Sequence, residues 1–207
     1  MERLYTFDRY WHKRMKCLGY PTIEDRTSTD LNDGRTSHWL ELVQQYGPSS
    51  GQVAEVGCAH GVLLAELARR GYRCTGNEPD EVTASWTREK VGLDIRSGFF
   101  PEVALPECDL FIAFDVLEHS IDPKSFMIGA SKLLKPGGVA VIQTPIDRYD
   151  YEPPFGETFE AAFNDIEHLY ILTDESMEKL AECSGLEIID AKGRLWLHHE
   201  ICIFQKH

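Results

Sequence analysis

Residues 52–61 read QVAEVGCAHG, and this stretch decides the fold class. Its first half, QVAEV, is a short apolar run typical of a buried strand. Gly57 and Gly61 then permit a sharp backbone turn, and a helical pattern follows from about residue 61 to residue 70. A strand, a glycine turn and a helix in direct succession form the first half of a parallel β-α-β unit.

The same alternation of strand and helix continues to the end of the chain. Further strands are predicted at 73–76, 93–96, 109–114, 139–144, 186–191 and 200–204, and helices at 36–46, 81–91, 124–134 and 176–183. This order predicts a mostly parallel sheet with right-handed crossovers. Because the last two strands lack a full helix between them, the last strand is expected to run antiparallel. Ligands of such sheets bind at the carboxyl ends of the strands.

Composition and charge exclude several classes of protein. The 207 residues are 43% hydrophobic and 27% charged, which is typical of a globular chain, and the length favours one domain. The formal net charge is −13, and residues 150–190 hold twelve carboxylates against one cation, Lys179. Nucleic-acid binding proteins gather Lys and Arg instead, so nucleic acid is not the expected partner.

The six cysteines show no C-x-x-C pair and no zinc-like spacing, so all are expected to be free thiols in a reducing compartment. The first thirty residues lack the apolar run of a signal peptide, and no stretch approaches the roughly 18 apolar residues of a membrane span. The prediction is a cytoplasmic protein without a membrane partner.

An acid at the end of the second strand sharpens the interpretation of the glycine turn. Glu78 follows Glu55 by 23 positions, and an acid at about this distance is placed to accept hydrogen bonds from the ribose hydroxyls of a nucleoside. The dinucleotide fingerprint G-x-G-x-x-G is absent, because positions 59 and 62 are Ala and Val. No G-K-[ST] of a P-loop occurs either.

These residues resemble the class I S-adenosylmethionine-dependent methyltransferases. The family's first motif, an acid followed by three alternating glycines, is matched by Glu55, Gly57 and Gly61, with Ala59 in place of the middle glycine. Further matches, in order, are Glu78, the segment 96–99 (RSGF), the segment 115–119 (DVLEH), the segment 133–138 (LLKPGG) and Thr144-Pro145. The resemblance covers about residues 50–205 and implies a Rossmann-like α/β sheet of seven strands, the last antiparallel, with helices on both faces.

The resemblance also implies the cofactor, S-adenosylmethionine, and its binding residues. Glu55 and the loop 57–61 would contact the methionine part, and Glu78 would contact the ribose. Gly98 and Phe99 would border the adenine, while Asp115 and Val116 would line the cavity near the sulfonium. The implied cofactor site therefore comprises Glu55, Gly57, Cys58, Ala59, Gly61, Glu78, Pro79, Gly98, Phe99, Asp115 and Val116. His60 is expected to pack near the methionine end.

Four residues are candidates for chemistry on the methyl acceptor: Asp115, Glu118, His119 and His168. Their pattern is similar to that of small-RNA 2′-O-methyltransferases, which hold magnesium with two Glu and two His, and of ubiquinone-pathway O-methyltransferases. A magnesium ion would lower the pKa of an acceptor hydroxyl, although Asp115 is one methylene shorter than the glutamate of the first family. Alternatively, His119 or His168 acts as a catalytic base without a metal, or the residues are structural.

The acceptor itself is predicted only as a class. We expect a small molecule that is methylated on a hydroxyl, with N- or C-methylation as the next choice. The alternatives are a metal-dependent small-RNA 2′-O-methyltransferase and a non-catalytic cofactor-binding module. The predicted single domain, residues 1–207, has an N-terminal cap (1–47) and a core (48–207) with a lid-like insertion at 145–170. Trp39 is expected to be core or a cap over the cofactor. The oligomeric state is not predicted.

Overall fold

The described residues of the computed structural model are 15–16, 19–20, 22–146, 168–192 and 199–207. Their helices are α1 (Ile23–Asn32), α2 (Arg35–Tyr46), α3 (Val62–Arg69), α4 (Glu81–Val91), α5 (Pro123–Leu133) and α6 (Asp174–Ser184). Their strands are β1 (Gln52–Val56), β2 (Arg73–Glu78), β3 (Asp94–Ser97), β4 (Cys108–Phe114), β5 (Leu134–Pro145), β6 (Leu186–Lys192) and β7 (His199–Lys206). A short 3₁₀ helix covers Leu117–His119.

The strands of this part of the chain form one sheet in the order β3-β2-β1-β4-β5-β7-β6. The first five strands run parallel, whereas β7 pairs antiparallel with both β5 and β6. The predicted fold class is therefore confirmed, including the antiparallel last strand. The strand order reverses beside β1, so the ends of β1 and β4 open into the crevice where ligands of such sheets bind.

Apolar side chains on alternate strand positions fill a core on each face of the sheet. Val53 points to the face covered by α2 and α3, while Ala54 and Val56 point to the face covered by α5 and α6. The first core includes Leu40 and Leu64, which are buried. Both faces of the parallel strands are thus shielded from water, as the near-continuous apolar runs of β1 and β4 require.

Local capping signals explain where several helices begin. Asp80 accepts a hydrogen bond from the backbone N–H of Thr83 at the start of α4. Asp122 accepts from backbone N–H groups at the start of α5, where Pro123 takes the first helical position. Thr173 caps α6, and Gly185 ends it in the left-handed conformation.

The structure corrects the predicted elements in three places. No helix is predicted before residue 36, yet α1 is present; it is polar, so no apolar period marks it, and it is capped by Thr22. β2 extends two residues beyond the prediction, to Glu78. β5 begins at Leu134, which pairs with Cys108 across an irregularity in register, so residues predicted as a turn belong to the strand.

Candidate active site

The residues implied as cofactor contacts lie at the carboxyl ends of β1 and β2 and on the loops that follow β1, β2, β3 and β4. These loops meet at one edge of the sheet because the four strands are parallel neighbours. The glycine loop, residues 57–61, follows β1; Glu78 and Pro79 end β2; Gly98 and Phe99 follow β3. Asp115 and Val116 follow β4.

The glycine loop is fixed by its neighbours on both sides. The backbone N–H groups of Gly57 and Cys58 both donate to the carbonyl of Asn77, at 2.8 and 3.0 Å. Gly57 adopts φ +73°, and a Cβ atom there would lie 2.4 Å from Cγ2 of Val116. Glycine is therefore required both by the backbone conformation and by the packed side chain that follows β4.

Ala59 occupies the position of the family's middle glycine and has φ +45°. Two hydrogen bonds hold it in this left-handed conformation: its N–H donates to Oε2 of Glu78 at 3.2 Å, and its carbonyl accepts from Oγ1 of Thr87 at 2.7 Å. The loop therefore keeps the turn of the family motif without the middle glycine, at the small steric cost of a left-handed alanine.

Two buried glutamates face this loop. Glu78 accepts hydrogen bonds from the N–H groups of Ala59 and Asp80, and burial raises its pKa to about 7. Burial also raises the pKa of Glu55, in β1, to about 8. Among the described residues, Oε2 of Glu55 has no hydrogen-bond partner. A buried acceptor without a donor is costly, and pKa values shifted in this way cluster at functional sites.

Beyond β4, Asp115 has φ +57°, which is uncommon for a residue other than glycine. Its N–H donates to the carbonyl of Gln143, and its Oδ1 accepts from Nε2 of the same residue at 2.9 Å. Oε1 of Gln143 in turn accepts from Nε1 of Trp39 at 3.1 Å. The side chain of Asp115 is thus held by β5 and by helix α2.

Glu118, His119 and His168 form the third part of the site. Each offers a ligand atom within 4.8 Å of the others, and the two imidazole rings lie 5.0 Å apart. Glu118 is buried and accepts from Oγ1 of Thr144 at 3.0 Å. The N–H of Leu169 donates to the carbonyl of Glu118, which brings His168 to this place from fifty residues along the chain.

Asp115 is not a member of this group of three, although it is one of the four residues predicted as metal ligands. Its Oδ1 is engaged by Gln143 instead. The predicted lid at 145–170 lies mostly outside the described residues, whereas the predicted cap contains α1 and α2. The single-domain division itself stays a prediction.

Two residues that the sequence did not reveal touch the site. Asp30, on α1, is buried and pairs with Nε2 of His60 at 3.1 Å. Burial alone would raise the pKa of Asp30, but the hydrogen bond from His60 and the charges of Arg26 and Arg35 lower it overall. Gln143 is the second such residue. Asp30 lies far from every motif in the sequence, whereas Gln143 directly precedes the Thr144-Pro145 match but carries no spacing or periodicity of its own that marks it.

The residues also fit a nucleoside cofactor that carries an amino-acid group. Gly61 caps α3 in the left-handed conformation without a side-chain hydrogen bond from any described residue, which leaves the first N–H groups of α3 able to bind a carboxylate. Glu78 would provide an acceptor for ribose hydroxyls at the neighbouring strand end. Groups of these two kinds are what a site for S-adenosylmethionine needs.

Comparison with known sequences decides the family. Residues 31–191 match the family model described as a methyltransferase domain. This chain belongs to the class I S-adenosylmethionine-dependent methyltransferases.

Among curated proteins, a probable S-adenosylmethionine-dependent methyltransferase of Mycolicibacterium smegmatis is 33% identical over 147 residues, covering 68% of this chain and 54% of that protein. A ubiquinone biosynthesis O-methyltransferase of Dinoroseobacter shibae is 27% identical over 164 residues, covering 70% of this chain and 63% of that protein. The methyltransferase chain thus matches little more than half of the length of these relatives.

Solved structures show the same fold. A putative sarcosine dimethylglycine methyltransferase from Galdieria sulphuraria has a TM-score of 0.67 at 14% identity, and the match covers 88% of each chain.

None of the helices in the described part of the chain has the length and hydrophobicity of a membrane span. Four of the described cysteines, Cys58, Cys74, Cys108 and Cys183, are free thiols.

Replacing Gly57 with alanine should destabilise the methyltransferase by about 2–5 kcal/mol, since a left-handed backbone and a collision with Val116 add together. Gly71→Ala is the matched control, because Gly71 has φ +93° but no atom within 4 Å of the position that a Cβ would take. It should cost about 1–2 kcal/mol. Denaturant unfolding compares them, and equal losses would contradict the packing argument.

Stability should fall as the pH rises from about 5 to 8.5, because folded Glu55 holds its proton up to a pKa of about 8 whereas the unfolded chain releases it near 4.5. Glu55→Gln should match the wild type at pH 5 and exceed it at pH 8.5 by on the order of 3 kcal/mol, or about 6–12 °C in Tm.

The control is Glu89→Gln, which makes the same change of charge at an exposed position of α4. Thermal unfolding of the ligand-free protein at both pH values gives the comparison. A constant difference between Glu55→Gln and wild type across this pH range would show that the Glu55 carboxyl does not titrate as its burial requires.

Proposed function

We propose that this methyltransferase transfers a methyl group from S-adenosylmethionine to a hydroxyl of a small-molecule acceptor. The observation that carries the proposal is the arrangement along one sheet edge: the glycine loop and Glu78 for the cofactor, and the His119–His168 pair beyond β4 for the acceptor. Relatives named ubiquinone biosynthesis O-methyltransferase support methylation on oxygen.

S-adenosylmethionine supplies a methyl group already activated by its sulfonium. The protein therefore needs to align an acceptor with that methyl and to exclude water, so positioning accounts for most of the rate. Glu78 would hold the ribose, the N–H groups at the start of α3 would hold the carboxylate, and the loops after β1 and β4 would exclude solvent.

A hydroxyl acceptor must lose its proton as the new bond forms. His119 and His168 lie side by side, and each imidazole has a nitrogen that can accept a proton when neutral. Glu118 is buried beside them, accepts a hydrogen bond from Thr144, and has its Oε1 3.9 Å from Nε2 of His119. We therefore propose one of these histidines as the catalytic base.

The same three side chains could hold a divalent cation, since carboxylate and imidazole are suitable ligands. A bound cation would lower the pKa of the acceptor hydroxyl. This alternative stays a prediction. A small-RNA acceptor is disfavoured by the net charge of −13.

Thermal unfolding with S-adenosylhomocysteine tests the cofactor site. At a hundred times its dissociation constant the ligand should add about 2.7 kcal/mol, a rise in Tm of about 5–11 °C. Glu78→Ala should remove most of this rise, because the ribose loses a charge-assisted acceptor, whereas Glu89→Ala should keep it. If the wild type shows no rise, the chain is a degenerate member of its family.

Turnover measurements on a panel of phenols, catechols and aliphatic alcohols test the acceptor site. His119→Ala and His168→Ala should each lower kcat by about 10²–10⁴-fold while leaving the affinity for S-adenosylhomocysteine unchanged. His207→Ala, at the opposite edge of the sheet, is the control.

Full activity in both histidine variants would contradict both the proposal of a catalytic base and the alternative of a bound cation. Chelation distinguishes these two hypotheses. Loss of activity that magnesium restores would show that Glu118, His119 and His168 bind a cation, whereas unchanged activity would favour proton transfer by a histidine.

A further inference from the structure

A continuous path of hydrogen bonds links helix α2 to the carboxylate that follows β4. Nε1 of Trp39 donates to Oε1 of Gln143 at 3.1 Å, and Nε2 of Gln143 donates to Oδ1 of Asp115 at 2.9 Å. Gln143 is almost fully buried, with 2% of its surface exposed. Neither Trp39 nor Gln143 is among the motif residues named in the sequence analysis.

The chemistry of the indole gives this path a direction. An indole N–H can only donate, so it requires the oxygen of the Gln143 amide to face Trp39. The amide nitrogen must then face Asp115, where it donates to the carboxylate. If the indole N–H were absent, the amide could rotate by 180° and present its oxygen to Asp115, which would repel the carboxylate.

Trp39 is itself held rigidly enough to impose this orientation. Its ring stacks on Phe114, the last residue of β4, with centroids 4.6 Å apart and an interplanar angle of 17°. Leu40 and Val43 on the same helix are buried in the core. The stack places the donor against the residue immediately before Asp115, so both ends of the path are fixed to β4.

Asp115 lies where the cationic end of the cofactor would reach. Its neighbour Val116 contacts the space beside Gly57, and β4 adjoins β1 on the side opposite to β2. A cofactor with its ribose on Glu78, at the end of β2, would cross the end of β1 and extend its amino-acid part toward β4. That part carries an ammonium group and, in S-adenosylmethionine, the adjoining sulfonium.

We propose that Trp39 and Gln143 are positioning residues that hold the Asp115 carboxylate toward the cationic end of the cofactor. This inference rests on the proposed function, because it requires the nucleoside cofactor to occupy the site. It gives helix α2 a specific role in cofactor recognition beyond that of a cover.

Binding of three ligands that differ in positive charge tests the proposal. S-adenosylmethionine has both the sulfonium and the ammonium, S-adenosylhomocysteine has the ammonium alone, and 5′-methylthioadenosine has neither. Trp39→Phe keeps an aromatic ring against Phe114 and removes only the N–H donor. Measured by calorimetry, Trp39→Phe should lower the affinity for the first two ligands by about three- to tenfold. The affinity for methylthioadenosine should stay within about twofold of the wild-type value.

Asp115→Asn should lower the affinity for the same two ligands by about tenfold or more. In this background Trp39→Phe should have no further effect on the ratio of affinities, since the orientation of the Gln143 amide no longer matters to an amide partner. Tyr72→Phe is the control: it removes one aromatic donor, to the carbonyl of Pro48 at the other edge of the sheet, and should change no affinity.

The outcomes separate the possibilities. If only the affinity for S-adenosylmethionine falls, the proposal holds with the sulfonium as the recognised charge. An equal loss of affinity for all three ligands in Trp39→Phe would mean that Trp39 has only a structural role and would overturn the proposal. Additive effects in the double variant would overturn it as well. If wild-type protein binds none of the ligands, the proposed function fails; if it binds them and no variant changes the ratios, only the positioning role fails.

Discussion

The contact between Gly57 and Val116 is the constraint on which the rest of the site depends. Val116 fills the space that a side chain at position 57 would need, so the turn after β1 can form only with glycine there. The same turn donates two N–H groups to the carbonyl of Asn77, and the loops after β1, β2 and β4 are thereby tied together. The proposed contacts of the glycine loop, of Glu78 and of Asp115 are positioned relative to this junction, so groups from different strands meet at one place.

Burial of two acids beside this junction works against stability and in favour of binding. Glu55 and Glu78 lie in an already acidic protein, and burial raises the pKa of each. A core built for stability alone would place apolar side chains at these positions. Under the proposed function, hydroxyl and ammonium groups of the cofactor would complete the hydrogen bonds of these acids.

The N-terminal helices reach the site through two polar contacts. Asp30 on α1 pairs with His60 in the glycine loop, and Trp39 on α2 contacts Gln143. An ion pair and an indole hydrogen bond each form only at a particular distance and angle. These two contacts therefore fix the positions of α1 and α2 relative to the loops, which apolar packing alone would not do. This arrangement accounts for the buried charge of Asp30 in an otherwise polar helix and connects the N-terminal part of the chain to the cofactor side of the fold.

The sequence by itself determined the sheet class, the glycine loop, the acid at the end of β2 and the family. These features depend on periodicity and on spacings of a few residues, which the chain carries locally. The resemblance already grouped His168 with Glu118 and His119, whereas tertiary structure alone decided that Asp115 turns to Gln143 and that Asp30 meets His60. It also revealed α1 and the early start of β5. Such pairings join residues far apart in sequence, and they follow from strand register and helix packing, which no local pattern encodes.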